Sequence, residues 1–542
     1  MPPDLNLAGT AEITVDTAAP VHPIHPKALA PANLVLTLIL SVFGAIVGIQ
    51  MMVSLGIAPS TSLIGALVAM SLARLPMAAF RGFRSIHSQN LAQTSISSAT
   101  FGAANSLFLP IGIPFLFGLP DMVLPMLVGV ALAMLLDAYL LYRMFDTPAF
   151  PATNPWPLGV AAAEAIKAGD SGGNQAWILL GGLLTGVAGA VLKLPMAAFG
   201  VALIGGFGAM LAFGAGLLTR GYSTELFGLD IAKLYVPHGV MIGAGIVALL
   251  QVSMVVIKRR AGPSASNAQN GDRTLTLGRS LRLGGLGYLA IMVLLAASTG
   301  IYQGMSPGML VTFVLYGACA AFVHELIVGI AAMHSGWFPA FAVALISLLI
   351  GILIGFPPEA LVVLAGFSAA TGPAFADMGY DLKAGYILRG APNSAFELDG
   401  RRQQLIAGML GFGVAIIVVA LSYKFFFDNK QTAPINAAYV AAIKAGISAD
   451  TARNLFLWAI PGALLQLVGG SRQQLGVLLA TGLLIPSGPA GWMVACGLIV
   501  RVLAMRLLGT ATREKLEVFS GGVIAGDAIY SFFSGLFKSI RK

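Results

Sequence analysis

Three short strings place ionisable side chains inside apolar surroundings. Asp137 stands in Met134-Leu135-Leu136-Asp137-Ala138-Tyr139. His324 and Glu325 stand in Phe322-Val323-His324-Glu325-Leu326-Ile327, and Asp527 in Ile524-Ala525-Gly526-Asp527-Ala528-Ile529. A charge at the centre of a bilayer costs about 2.5 kcal/mol or more on insertion scales, so each group needs a partner, a wet cavity or a task. A carboxyl or imidazole so placed can bind and release a proton as the protein changes state. Glu325, His324, Asp527 and Asp137 are therefore the proton-coupling candidates. The competing structural reading is that Asp137 snorkels from a helix end and that His324 and Glu325 face packing partners.

A second group is polar and uncharged. Asn90, Gln93, Thr94, Ser97 and Ser98 recur at three- and four-residue spacing, which puts them on one helical face. A polar stripe within a membrane helix must face protein or water. It suits either a substrate cavity or hydrogen bonds between helices. Ser368, Thr371, Asp377 and Asp381 form a looser counterpart in the second half. Other chemistries lack their residues. The chain has no Gly-x-x-x-x-Gly-Lys-Ser/Thr phosphate loop and no Gly-x-Ser-x-Gly elbow. His324-Glu325 is followed by Val328 where a zinc protease needs histidine. No catalytic, metal or cofactor site is expected, and an intramembrane enzyme finds no paired residues.

The elements that hold these residues follow from composition. Of 542 residues, 57% are hydrophobic and 10% charged, whereas soluble chains carry about 25% charged residues. The chain reads as an all-α polytopic membrane protein with about 14–16 transmembrane helices in two homologous halves. A sheet is excluded because its unpaired backbone groups cannot face lipid. The 66 glycines suit close helix contacts and broken helices. Gly200, Gly205, Gly206, Gly208, Gly214 and Gly216 interrupt one run, and Pro486, Pro489 and Gly491 the corresponding one, so broken or re-entrant helices are expected there. Cys319 and Cys496 lie in apolar runs and read as small packing residues.

The expected organisation is a disordered tail at 1–31, a first membrane repeat at 32–257, a basic linker at 258–283, a second repeat at 284–537 and a basic tail at 538–542. No cleavable signal peptide is expected, since Asp4, Glu12 and Asp16 precede any apolar run. The net charge of +9 sits mostly between apolar runs, which points to membrane topology and lipid headgroups rather than nucleic acid. Lys258, Arg259, Arg260, Arg273, Arg279 and Arg282 place the linker in the cytoplasm, with Arg81, Arg84, the N-terminus and the C-terminal Lys538, Arg541 and Lys542 beside it. Parity then requires one more crossing hidden within Phe101–Phe117 or Phe199–Arg220. The halves echo each other. Ala165-Ile166-Lys167-Ala168-Gly169 recurs at 442–446, Gly216-Leu217-Leu218 with Arg220 at Gly497-Leu498-Ile499 with Arg501, and Ala244-Gly245 at Ala525-Gly526. The expected relation is a parallel duplication around a central pathway.

Ordered motifs along the chain carry a family resemblance. Gln93-Thr94 with Ser97-Ser98-Ala99 is similar to a Gln-Thr-x-Ala-Ser-Ala stretch. Gly173-Asn174-Gln175 follows the Ala-Ile-Lys-Ala-Gly segment. Asp381-Leu382-Lys383-Ala384-Gly385-Tyr386 precedes Gln403-Gln404. Gln474-Leu475-Gly476-Val477 and Gly522-Val523-Ile524-Ala525-Gly526 complete the set. Together they resemble the oligopeptide transporter (OPT) family, which includes the yellow-stripe-like metal-chelate transporters. The resemblance implies a secondary transporter of about sixteen helices that takes up peptides or peptide-like metal chelates with protons. The Asn-Pro-Gly and Lys-Ile-Pro-Pro-Arg signatures of the eukaryotic peptide-carrying branch are absent; the nearest string is Ser306-Pro307-Gly308. The compact chain with short loops fits a bacterial inner-membrane protein. A passive channel, and a sodium-coupled carrier of another small ligand, are the alternatives. Membrane lipids are expected partners, and a homo-oligomer stays open.

Overall fold

The computed structural model describes residues 25–56, 84–154, 156–170, 175–260, 270–335, 340–390, 394–446, 449–509 and 512–540. The tail before residue 25, the apolar run Ser62–Ala79, Arg81, Gly173-Asn174, most of the linker loop and Arg541-Lys542 lie outside the described residues. The first half contains α1 (Pro31–Leu55), α2 (Ile86–Phe101), a π-helical turn (Gly102–Phe108), α3 (Leu109–Phe117), α4 (Val123–Met144) and α5 (Pro157–Asp170). It continues with α6 (Gln175–Val191), α7 (Met196–Ile204), α8 (Phe207–Phe227) and α9 (Val236–Arg260). The second half contains α10 (Asn270–Ser298), α11 (Pro307–Ser335), α12 (Ala340–Ile354), α13 (Pro358–Ala370), α14 (Pro373–Arg389), α15 (Ala395–Asp428) and α16 (Asn436–Ala445). It ends with α17 (Ala449–Gln473), α18 (Leu475–Leu484), α19 (Gly488–Leu508) and α20 (Thr512–Ile540).

The chain is an all-α polytopic membrane protein. Eight described helical stretches are long and apolar enough to cross a membrane, and four shorter apolar helices accompany them. Each helix satisfies its own backbone, which hydrocarbon requires. Proline at the first helical position opens α1, α13 and α14, where the missing N–H costs nothing. The helices form two bundles. One holds α6–α9 with α17–α20, and the other holds α1–α5 with α10–α16. Cys319 and Cys496 are exposed on the outer surface instead of packing inside, because their helices present that face outward.

The breaks fall where glycine and proline mark them. Gly205-Gly206 separates α7 from α8, and Ile485 to Ser487 separates α18 from α19. Phe199 of α7 and Gly205 just past its end meet Gly497 and Arg501 of α19 in rising order. Gly214, Leu218 and Gly221 of α8 meet Val494, Gly491 and Gly488 of α19 in falling order. Hence α7 and α8 run in opposite directions as a hairpin that leaves from the end it entered. Phe101–Phe117 is one continuous stretch with a π-turn inside it. The reversal that parity called for lies in the second place, where a run read as one crossing is two antiparallel helices; Phe101–Phe117 adds none.

The parallel duplication is corrected by the same contacts. Gly214 and Val494 lie 280 residues apart and touch, yet their helices are antiparallel. The other pair behaves alike: Ser97 touches Asp377, also 280 residues away, while Gln93 meets Asp381 and Pro110 meets Gly366. Matching elements thus meet head to tail about one two-fold axis, which passes near Ser97/Asp377 and Gly214/Val494. An axis perpendicular to the helices relates inverted copies, the other common transporter arrangement. Partner exchange fits: α6 pairs with α20, and α9 pairs with α17. Short identical strings carry no direction, so the echoes could not separate the two relations.

Candidate functional site

Residues 360–385 are all buried in protein, and so are residues 88–108 of the antiparallel neighbour. This central pair carries the polar stripe. Asn90, Gln93, Thr94, Ser97 and Ser98 are all buried, as the spacing predicted. Asn90 Nδ2 donates to Gln93 Oε1 (2.9 Å), Gln93 Nε2 to Asp381 Oδ1 (2.5 Å) and Ser97 Oγ to Asp377 Oδ1 (2.7 Å). The second-half set is therefore the direct partner of the first rather than a separate copy. Gln404 of α15 closes the group, donating through Nε2 to Thr94 Oγ1 (3.1 Å) and to Asp381 O (2.6 Å). Glycine permits this contact, since a Cβ at Gly411 would lie 2.2 Å from Ser95 O. The hydroxyls of Ser98, Ser106 and Ser368 are buried without a hydrogen-bond partner. Buried polar atoms are normally satisfied, so these three leave donors and acceptors for water or solute.

From Gln404 the polar chain continues toward one end of the bundle. Arg389 donates to Gln404 Oε1 (2.8 Å) and Glu397 Oε1 (3.3 Å), and Arg401 donates to Glu397 Oε1 (2.7 Å) and Asp146 Oδ2 (3.3 Å). Lys383 Nζ donates to Ala152 O (2.7 Å). Residues 25–30 lie over this end as a strap. Lys27 pairs with Asp399 (3.5 Å), Ala28 N–H donates to Gln403 Oε1 (3.0 Å), and the His25 ring packs on His87 and Phe396. Burial pushes the His25 imidazole down to about 4, a bond to Pro26 O opposes this, and Arg389 adds to the lowering.

Three of the four coupling candidates converge on a second feature, the interruption between α13 and α14. Thr371 is extended and Gly372 takes φ 98, a conformation that favours glycine. Val328 fills the space a side chain there would need. Asp137 Oδ2 accepts the Gly372 N–H (2.6 Å), and its Oδ1 accepts the Tyr288 hydroxyl (2.5 Å). That hydroxyl also faces Glu325, neither of whose oxygens has a partner at hydrogen-bond distance. His324 Nδ1 meets Thr371 Oγ1 (3.2 Å). Asp527 lies apart: it accepts the Ala197 N–H (2.6 Å) at the start of α7.

Sequence reasoning missed Tyr288, Gln404, Lys383, Arg389, Glu397, Arg401 and Asp146 as site residues. Tyr288 sits in an apolar run, and the charges fall between runs, where they read as loop residues. The signal for the break was Thr371-Gly372-Pro373, a turn string inside an apolar run. Among the described residues, no three or more His, Cys, Asp or Glu side chains are grouped to hold a metal.

Matched helices in antiparallel contact, a buried hydrogen-bonded polar chain and interrupted apolar helices are features that integral membrane transporters share. The family profile described as OPT oligopeptide transporter protein matches residues 29–258 and 228–538. The chain belongs to that oligopeptide transporter family. No curated protein matches it.

Proposed function

We propose that the chain is a secondary active transporter taking up oligopeptides or peptide-like metal chelates, driven by protons, across a bacterial inner membrane. The observation that carries this reading is the polar chain from Ser97 and Asp377 to Arg401 and Asp146, nearly all of whose side chains are buried in protein. So many polar groups within hydrocarbon are costly unless they serve passage. Amide and hydroxyl groups of Asn90, Gln93, Thr94, Ser97 and Ser98 match the N–H and C=O groups of a peptide. Asp377 and Asp381 match its ammonium end, with Ser368 and Thr371 further along the route. Glu325 carries the proton, because no donor lies at hydrogen-bond distance from its buried carboxyl to hold it in one protonation state. Asp527, already engaged at the start of α7, serves structure.

The end bearing Arg84, Arg143, Arg279, Arg282, Arg389, Arg401 and Arg402 is assigned to the cytoplasm, with the strap and the linker. Because α8 and α19 are antiparallel, α9 and α20 finish at opposite ends. The end of α20 is therefore assigned to the outer face, which revises the expectation for the C-terminus.

The test is reconstitution in liposomes under an imposed acid-outside gradient. Labelled tetraalanine and a peptide-like iron chelate should accumulate above their outside concentration, and Glu325→Gln should abolish accumulation. Flux that ignores the pH gradient would favour a passive channel. Uptake driven by sodium alone would favour the other ion.

A further inference from the structure

The interrupted helix, its clamp and the substrate-facing carboxylates form one mechanical unit. Asp377 and Asp381 lie on α14 within three turns of its start, and the start is held by the Asp137 bond to Gly372. Its first N–H groups have no helical partner and are buried in protein. Every residue from Pro373 to Gly385 is buried. The clamp comes from three other helices. α4 supplies Asp137, α10 supplies Tyr288, and α11 supplies His324 against Thr371, Glu325 beside Tyr288, and Val328 against Gly372.

The two carboxyl groups beside Tyr288 are unlike. Asp137 receives two short bonds, as a carboxylate held by fixed donors does. Glu325 receives none at hydrogen-bond distance. The Tyr288 hydroxyl has one proton to donate. While Glu325 is protonated, that donor serves Asp137. When Glu325 gives its proton to water, its own carboxylate competes for the Tyr288 hydroxyl. Asp137 then keeps only the Gly372 N–H. No covalent bond changes except the O–H of Glu325, whose proton leaves with water.

We propose that Asp137 is a positioning residue: with Tyr288 it fixes the start of α14, so that proton gain and loss at Glu325 reaches Asp377 and Asp381. This rests on the proton-coupled reading above and gives Asp137 a part other than carrying the proton.

Amide hydrogen exchange of full-length protein in lipid nanodiscs tests it without a substrate. In the wild type, protection of residues 374–378 should change by about threefold or more when Glu325 changes protonation on a shift from mildly alkaline to acid pH. Asp137→Asn, which keeps an acceptor for Gly372, should lose that response, and so should Glu325→Gln. Tyr288→Phe, which leaves Asp137 in place, should lose most of it. A wild-type response that persists in either Asp137→Asn or Tyr288→Phe overturns the proposal, and so does a wild type that shows none. In liposomes, Asp137→Asn should keep gradient-free tetraalanine exchange while losing proton-driven accumulation. A parallel fall of both would mean a merely structural part. A wild type that responds in exchange but does not accumulate solute with protons would sink the transport reading alone.

Discussion

The two ends of the central helix pair are closed by opposite chemistry. At the linker end, Arg389, Glu397, Arg401 and Asp146 form a buried ionic chain. At the far end, Phe108, Phe115, Tyr423, Phe426 and Phe427 form a ring cluster, with Phe115 stacked on Phe427 at 4.5 Å. The repeat makes the contrast direct. Glu397 is matched by Phe117 and Asp146 by Phe426, each 280 residues away, the spacing that also separates Ser97 from Asp377. Inverted copies of one backbone therefore seal one end with directional charge pairs and the other with non-directional contact area. The ionic end fails abruptly when one member is lost, whereas an aromatic cluster loses strength ring by ring.

The largest test of that difference is Glu397→Ala. It strands the buried Arg389 guanidinium, leaves Arg401 only Asp146, and should cost about 3–5 kcal/mol, read as a fall in the detergent-solubilised unfolding temperature. A loss no greater than that of an exposed pair would erase the contrast. Phe427→Ala comes next. Truncating a buried ring costs about 3 kcal/mol, and this loss should not depend on salt, since no charge is involved.

Strap docking gives a smaller, pH-dependent effect. His25 titrates near 4 when docked but near 6.5 when released, so the released strap binds the extra proton. Docking is at full strength above about pH 6.5 and weakens as pH falls toward 4. The groups facing His25 are His87 on α2, Arg389 on α14 and Asp399 on α15. Amide protection of residues 28–30, corrected for the intrinsic exchange rate, should fall on acidification, and His25→Gln should flatten the dependence. Smallest is Lys27→Ala, which removes an exposed pair with Asp399 and should cost less than about 0.5 kcal/mol.

Much of the centre was legible. Asn90, Gln93, Thr94, Ser97 and Ser98 share a face by spacing alone, and hydrocarbon leaves such a face no place but the interior. Gly205-Gly206 and Pro486 announced the hairpin tips. The inverted relation was not legible, because Gly216-Leu217-Leu218 reads the same whichever way its helix points. Nor were α5 and α16, which are too short to register as spans. Tyr288 looked like any aromatic in an apolar run, since its value lies in standing between Asp137 and Glu325, two residues distant in sequence.

Ser97 and Asp377 occupy equivalent places in the two upside-down copies, at the point where the copies cross. A molecule with true two-fold symmetry would work at the same speed inward and outward. Here a single negative charge stands where symmetry would place two or none, so the inward-facing and outward-facing backbones, though related by rotation, differ in energy. This side chain, with the unlike seals at the two ends, sets apart two arrangements that the backbone alone would make equal.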